Sequence, residues 1–232
     1  MKFWQTFLIG GLTFLAAADR PTTTQASAGP LYSNDFTKGL ADFQIEAEKP
    51  ATVTAKDGVL DIDTPTGITV WLKQKLVGPV VIEYEVTAIK AGGANDRVSD
   101  VNCFWMADDP LHPGQLLEQH RTGKFADYDT ITTYYVGYGG NTNTTTRFRR
   151  YIGEKNNRPI RKQDEYTDAD HLLKPNVPMK IKLVADGGRI EYWRDGEKLF
   201  AYDDPKPYTE GHFGFRSVTS HLRIKDLKIS RP

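Results

Sequence analysis

The chain has 232 residues, enough for one substantial domain. Its 30 basic and 30 acidic side chains cancel, so the molecule as a whole lacks the positive charge that draws proteins to nucleic acid or to anionic lipid. Hydrophobic residues make up 39% and charged residues 26%, proportions that argue against a disordered chain and a membrane bundle and favour a single folded domain, which we expect to be monomeric.

The first 28 residues have the composition of a signal peptide and a polar leader. Lys2 precedes an apolar run from Phe7 to Ala18, which closes on three alanines. A membrane-spanning helix needs about 20 apolar residues, and this run is shorter and gives way to a polar stretch from Thr22 to Ala28. We therefore predict that residues 1–28 are a removed leader, that residues 31–232 form one domain, and that the product is periplasmic or secreted without membrane insertion.

From Leu31 onward, short runs of alternating apolar and polar residues are separated by turn residues, a pattern typical of sheet proteins. Turns such as Asp195-Gly196 contain the glycine whose positive φ a tight hairpin needs. Eleven such runs predict an all-β fold, a two-sheet antiparallel sandwich. The predicted strands are Gly58 to Asp63, Thr69 to Lys75, Val80 to Ala88, Val98 to Ala107, Thr132 to Tyr138, Thr146 to Tyr151, Met179 to Asp186, Arg189 to Arg194, Glu197 to Asp203, Gly211 to Ser217 and Leu222 to Ser230.

Two long stretches lack the strand pattern. The first runs from Asp109 to Asp129, and the second runs from Glu154 to Pro178 and is polar with scattered prolines. Loops of this length are uncommon in compact domains and often lie over a binding surface, which is what we expect here.

Both ends of the domain carry motifs of a known fold. The first end comprises Leu31 to Phe36, followed by Leu40 to Phe43, and the second comprises Ile190 to Leu199, Gly211 to Ser217 and Leu222 to Leu227. These segments resemble the first strand and the last four strands of the concanavalin A-like lectin/glucanase superfamily. The resemblance implies a concanavalin A-like jelly roll that handles carbohydrate.

Three segments in the middle of the chain carry a second resemblance, namely Asp96 to Ala107, Tyr134 to Asn141 and Thr146 to Tyr151. They are similar to the YesU-like proteins, uncharacterised jelly rolls found beside enzymes of pectin and rhamnogalacturonan utilisation. This resemblance implies an acidic plant or algal glycan as the partner, an oligosaccharide or polysaccharide.

The predicted strand from Thr146 to Tyr151 carries three arginines. Alternation along a strand places Arg147, Arg149 and Tyr151 on one face, and it separates Asp100 and Asn102 from their apolar neighbours in the preceding strand. We interpret these residues as substrate-binding, with the arginines holding uronate carboxylates through forked hydrogen bonds. The alternative is an outer strand that faces water.

Proton transfer requires further groups. Tyr134 and Tyr138 share one face of their strand and are candidate catalytic acids, and His120 and His171 in the two long loops are candidate bases. Asn141 in the following Gly-Gly-Asn turn is a candidate substrate ligand. The alternatives are tyrosines that pack in the core and loop histidines without a chemical role.

No histidines stand at metal-ligand spacing, so we expect no catalytic metal and no cofactor. Asp35, Asp63 and Asp226 supply oxygens for a structural calcium ion, although no compact loop motif groups them. Glu83-Tyr84-Glu85 is the segment nearest to the strand of retaining glucanases, but it lacks the central aspartate and the second acid of that strand.

Three functions remain open at this point. The first is a polysaccharide lyase that cleaves a uronate-containing glycan by β-elimination, the second is a glycoside hydrolase, and the third is a non-catalytic carbohydrate-binding module. For the first, we predict that Asn102, one of Tyr134 and Tyr138, and one of Arg147 and Arg149 converge on one groove with a histidine at its rim.

Overall fold

A computed structural model of the protein describes residues 1–2 and 29–232. Almost all of the predicted signal peptide lies outside these ranges, so export stays a prediction. No helix within the described residues is both long and apolar enough to cross a membrane.

The described residues form fourteen strands, and every strand pair is antiparallel. The strands are β1 Tyr32–Asn34, β2 Phe43–Ala47, β3 Thr52–Lys56, β4 Val59–Leu72, β5 Leu76–Val77, β6 Val80–Ala88, β7 Val101–Asp108, β8 Thr132–Gly139, β9 Thr145–Ile152, β10 Glu165–Tyr166, β11 Met179–Asp186, β12 Arg189–Arg194, β13 Glu197–Asp203 and β14 Glu210–Ser230. Among these same described residues, the helical turns are the short segments Leu116–Gln119, Phe125–Tyr128, Gly140–Asn143, Lys162–Asp164 and Ala169–His171.

Two long strands, β4 and β14, connect the two layers of the sandwich. Their front halves are Gly67 to Leu72 of β4 and Glu210 to Val218 of β14. These halves pair with each other and with β2 and β7, and β8, β9 and β10 extend this front layer. The back halves of β4 and β14 also pair with each other, and they pair with β3 and β6, while β11, β12 and β13 extend the back layer. The register of β14 shifts between Val218 and Ser220, where Thr219 has a φ of 45°, and such an irregularity bends a strand.

Aromatic side chains fill the space between the layers. Trp105 lies 5.6 Å from Tyr134, Phe148 lies 6.1 Å from Phe200, and Tyr84 meets Phe215 edge-on at 5.1 Å, measured between ring centroids. Burying each large apolar side chain stabilises the fold by roughly 1.5–3 kcal/mol. Alternation sends these residues inward and their sequence neighbours outward.

The predicted all-β, two-sheet antiparallel jelly-roll sandwich is confirmed. Two predicted strands, Gly211 to Ser217 and Leu222 to Ser230, are halves of the single strand β14. The pattern missed β1, β2, β3, β5 and β10, which have two to five residues each and are too short for alternation to stand out.

The segment between β7 and β8, residues 109–131, covers much of the outer face of the front layer, and we call it the β7–β8 loop. A second apolar cluster lies beneath it, and in this cluster Trp71 stacks on Phe104 at 5.4 Å and Tyr128 of the loop packs on Phe104 at 5.3 Å. The first predicted long loop therefore does lie over a sheet face, but it fills most of that face instead of leaving it open.

Candidate functional site

Beyond the β7–β8 loop, the outer face of the front layer opens into a cleft of about 380 Å³, which we call the β8–β9 cleft. This volume falls within the usual range for small-molecule sites. The cleft is lined by Arg97, Asp100, Phe125, Tyr135, Gly137, Gly140, Asn141, Thr142, Thr145, Arg147, Arg149, Arg158 and Val218.

Strand register places the central residues of the cleft on one face. Arg149 of β9 is opposite Tyr135 of β8, and Arg147 is opposite Gly137. Asn102 of β7 is opposite Gly137 from the other side, but it is buried and does not line the cleft. A Cβ at Gly137 would lie only 2.9 Å from the Tyr135 hydroxyl oxygen, so glycine at this position leaves room for that hydroxyl over the strand.

Arg149 differs from the other arginines of the cleft in having no carboxylate partner among the described residues. Its side chain is half-buried, and no carboxylate of the described residues lies within 4.0 Å of its guanidinium, which donates a hydrogen bond to the backbone carbonyl of Arg158. Burial lowers the pKa of Arg149 because water no longer stabilises its charge fully. A partly desolvated guanidinium without a counter-ion is costly, and an anionic ligand would relieve that cost.

The other three arginines that line the cleft already have carboxylate partners. Arg147 pairs with Glu165 through two hydrogen bonds of 2.8 and 3.0 Å, and Arg97 pairs with Asp100 at 2.9 Å. Arg158 pairs with Asp129 and lies 4.2 Å above the ring of Phe125. These three arginines hold the walls of the cleft in place.

Polar groups without partners lie on and beneath the strands that form the cleft. The Tyr135 hydroxyl makes no hydrogen bond to another described residue, and burial, together with the neighbouring Tyr151 and Asp100, raises its pKa well above the usual value. Asn102 donates to Asp100 at 3.2 Å, but its side-chain oxygen is buried and unpaired. The hydroxyl of Tyr151 is also buried and unpaired, beneath the cleft and not on its surface.

Sequence reasoning missed Arg216, which is 1% exposed and lies opposite Asn102 in the register of β14 and β7. Its guanidinium donates to the Thr69 hydroxyl at 3.3 Å and to the Gly123 carbonyl, and no carboxylate of the described residues lies within 4.0 Å. The sequence did contain a signal, because Arg216 directly follows the apolar segment Phe213 to Phe215 inside a predicted strand. This second uncompensated charge lies beside the cleft, beneath the β7–β8 loop, and adds positive potential to it.

The structure separates Tyr134 and Tyr138 from the arginines of the cleft, and this part of the predicted convergence is corrected. The Tyr134 hydroxyl donates to Asp204 at 2.7 Å in the core, and the Tyr138 hydroxyl accepts from Arg194 at 2.8 Å. The two tyrosines do share a face, as predicted, but it is the face of Val136 that packs inward. Tyr135, between them, is the tyrosine that faces the arginines.

The candidate histidines are also elsewhere. His120 is exposed, with a left-handed backbone at the end of the short helix Leu116–Gln119. His171 stacks on Tyr166 at 3.9 Å and contacts Asp168 at 2.6 Å, in a separate depression beside Arg194. No histidine of the described residues lines the β8–β9 cleft. The loop positions of both residues could not be derived from strand alternation.

Four predicted residues do meet at the cleft, namely Asp100, Asn141, Arg147 and Arg149. Asp100 is the only carboxylate among the lining residues, and it accepts hydrogen bonds from Arg97, Ser99 and Asn102. A retaining hydrolase needs two carboxyl groups about 5 Å apart, so the lining does not match hydrolase chemistry.

The three aspartates predicted for calcium do not form one group. Asp35 and Asp226 line a shared depression, whereas Asp63 accepts a hydrogen bond from Asn95 at 2.7 Å. Within residues 1–2 and 29–232, no three His, Cys, Asp or Glu side chains are grouped to hold a metal ion. A structural calcium ion stays a prediction.

A family model described as a domain of unknown function, DUF6250, matches residues 62–227. The chain belongs to this family. A search of curated proteins found no match to this DUF6250 chain.

Solved structures share its fold. A Bacillus subtilis protein of unknown function with a galectin-like fold is 16% identical, with a TM-score of 0.65 over 89% of this chain and 97% of that one. The carbohydrate-binding module CBM66 of Bacillus subtilis is 10% identical, with a TM-score of 0.54 over 82% and 96%. An endo-beta-1,3-glucanase of Pyrococcus furiosus is 10% identical, with a TM-score of 0.56 over 86% and 93%. At these identities the likeness concerns the fold alone.

Proposed function

We propose that this DUF6250 protein binds an acidic saccharide in the β8–β9 cleft, and that Arg149 holds the carboxylate of a uronate residue. One observation carries the proposal: Arg149 is half-buried in the cleft without a carboxylate partner among the described residues, although three neighbouring arginines have one. A guanidinium in this state favours a planar anion that accepts two parallel hydrogen bonds.

The remaining lining suits a sugar. Asn141, Thr142 and Thr145 present amide and hydroxyl groups at one end of the cleft, and Phe125 and Tyr135 present ring surfaces at the other. Such a mixture of aromatic surface and a few polar groups is typical of small-molecule sites. The fold neighbours named as a carbohydrate-binding module and a glucanase, and the resemblance to YesU-like proteins, support a glycan of plant or algal origin.

The test is calorimetric titration with oligosaccharides of galacturonate and of alginate. Arg149→Met should weaken binding about a hundredfold, roughly 2.7 kcal/mol, because it removes a desolvated charge from the complex. Arg189→Met, which removes an exposed arginine of β12 in the back layer, is the matched control and should leave binding unchanged. Equal affinities of the wild-type protein and Arg149→Met would refute the proposal.

A lyase reaction is the second candidate, favoured by the free hydroxyl of Tyr135 opposite Arg149. In β-elimination the C5–H and C4–O bonds break and a C4–C5 double bond forms. Tyr135, whose raised pKa keeps it protonated at neutral pH, would donate its proton to the leaving oxygen at C4, and Asp100 would accept the proton from C5. Water then restores both groups.

Absorbance of the unsaturated uronate product tests this second candidate on the same glycans. Tyr135→Phe and Asp100→Asn should each abolish product formation while binding through Arg149 persists. Asparagine tolerates the left-handed backbone of Asp100, whose φ is 60°, so this variant should fold. Binding without any absorbance from the wild-type protein would leave a carbohydrate-binding domain and exclude the lyase.

A further inference from the structure

The β7–β8 loop lies directly on the backbone of the front layer. A Cβ at Gly67 of β4 would lie 2.4 Å from the carbonyl oxygen of Gly123, and a Cβ at Gly123 would lie 2.6 Å from the backbone nitrogen of Glu48. Gly123 also has a φ of 90°, which side chains rarely adopt. The two glycines therefore permit backbone-to-backbone contact, which leaves no space for a sugar chain over β4 or β2.

Buried polar contacts fix this loop in place. Glu46 of β2 accepts hydrogen bonds from the Tyr128 hydroxyl at 2.8 Å and from the backbone nitrogen of Arg121 at 3.1 Å. The Arg121 guanidinium pairs with Asp109 at 2.7 Å, and both side chains are nearly fully buried. Breaking a buried pair of this kind is strongly unfavourable, so the loop is a fixed wall and not a flap.

The wall closes the β8–β9 cleft on the side of β14. Arg216 lies beneath the loop, in contact with the Gly123 carbonyl, and the cleft lining stops at Val218 and Arg97. The hairpin turn at Asn141 bounds the cleft at one end of the strands, and Phe125 with Arg158 bounds it at the other. The side that carries Arg147 faces the sheet edge at β10.

We propose that the cleft receives the terminal residue of an acidic glycan chain and excludes an internal segment. An internal segment must leave a site in two directions, and the cleft is closed by the β7–β8 loop where a chain crossing the front layer would continue. This inference rests on the proposed function, because it specifies which part of an acidic glycan reaches Arg149.

The experiment compares long and short fractions of polygalacturonate and of alginate by competition against a fluorescent uronate oligosaccharide bound to the wild-type protein. For terminal recognition, the two fractions of one glycan should half-saturate the protein at the same concentration of chain ends. The uronate concentration at half-saturation should then rise in proportion to mean chain length. The matched control is the same titration after partial depolymerisation of the long fraction, which should restore its potency.

The outcomes separate the two proposals. Half-saturation at equal uronate concentration, whatever the chain length, would overturn terminal recognition and leave the proposed function standing. Absence of binding to either glycan, or binding that Arg149→Met leaves unchanged, would overturn the proposed function and with it this inference. Where a lyase reaction accompanies binding, release of short products from the start, without an early fall in viscosity, is the expected result.

Discussion

Arg149 and Arg150 are adjacent in β9 and have opposite fates. Arg150 faces inward, where it donates to Asp204 at 2.7 Å and to the Lys206 carbonyl at 2.7 Å, and it lies 4.2 Å above the ring of Tyr208. Arg149 faces the cleft and has no carboxylate partner among the described residues. On one face of β9 an arginine thus completes a hydrogen-bond network, and on the other face an arginine keeps an uncompensated charge.

Their pKa values differ for the same reason. Burial is the largest single influence on the pKa of Arg150 and lowers it, but the hydrogen bond to Asp204 and the attraction of Tyr208, Asp204 and Tyr134 together outweigh burial and raise the pKa. For Arg149 burial prevails and the pKa is lowered. For these two adjacent arginines of β9, the presence or absence of a carboxylate partner therefore distinguishes the core residue from the cleft residue.

The largest expected effect is on stability. Arg150→Met should lower the free energy of unfolding by about 3–5 kcal/mol, because Asp204 is almost fully buried and would lose its counter-charge. Urea denaturation measures this change. Arg149→Met is the matched variant one residue away and should change stability by less than about 1 kcal/mol, since it removes a charge that no carboxylate compensates. Equal destabilisation by both substitutions would contradict the comparison.

The next effect concerns Tyr134 and Tyr135, because the hydroxyl of Tyr134 has hydrogen-bond partners in the core and the hydroxyl of Tyr135 has none among the described residues. Tyr134→Phe should cost about 1–2 kcal/mol of stability, because the Tyr134 hydroxyl donates to Asp204 and accepts from the backbone nitrogen of Tyr208 at 3.1 Å. Tyr135→Phe should leave the thermal midpoint unchanged, because its hydroxyl has no described partner. If the variants proved equally stable, the core network around Asp204 would be weaker than its geometry implies.

The sequence predicted the fold better than the site, and β8 shows why. Alternation correctly paired Tyr134 with Tyr138 and Arg147 with Arg149, but alternation within one strand does not say which face is turned to the core. That choice depends on the neighbouring strand, since Tyr135 is opposite Arg149 only in the observed register. A shift of one residue would have brought Tyr134 and Tyr138 to the arginines.

Counter-ions are even harder to predict, because they come from distant parts of the chain. Glu165, which neutralises Arg147, belongs to the two-residue strand β10, and Asp204, which neutralises Arg150, follows β13. Nothing local distinguishes Arg149 from these neighbours. The β7–β8 loop was recognisable as long, but its path over Gly67 depends on a contact between residues far apart in sequence.

A smaller effect follows from freeing a second arginine in the cleft. Glu165→Gln removes the carboxylate that holds Arg147, and we expect acidic oligosaccharides to bind about fivefold more tightly, near 1 kcal/mol, because the pair is only partly exposed and a second guanidinium becomes available. Asp204→Asn frees Arg150 in the core and should give no such gain. Calorimetric titration of both variants tells whether freeing an arginine on the cleft face of β9 differs from freeing one on its core face. A gain in affinity in both variants would contradict the assignment of the cleft as the binding site.

The smallest effect is on the pH dependence of stability. Burial alone would raise the pKa of Asp204, but the hydrogen bonds from Arg150, Tyr134 and the backbone nitrogen of Lys206, together with the charge of Arg150, outweigh burial and hold the pKa below its ordinary value of 3.8. A carboxyl group with a lowered pKa in the folded state contributes stability that is complete above its unfolded pKa and disappears as the pH falls through the folded value.

The free energy of unfolding should therefore decrease in the wild-type protein as the pH falls from about 5 toward about 2, with a contribution from Asp204. In Arg150→Met that contribution shrinks, so the stability difference between this variant and the wild type should narrow over the same interval. Arg149→Met should follow the wild-type profile in parallel, because no carboxylate of the described residues pairs with Arg149 in the folded state. Urea titrations at a series of pH values measure all three curves.

Two outcomes would contradict these expectations. If the stability difference between the wild type and Arg150→Met stayed constant with pH, Asp204 would not be the carboxylate that Arg150 stabilises. If the stability difference between the wild type and Arg149→Met changed with pH, Arg149 would have a counter-ion on the cleft face.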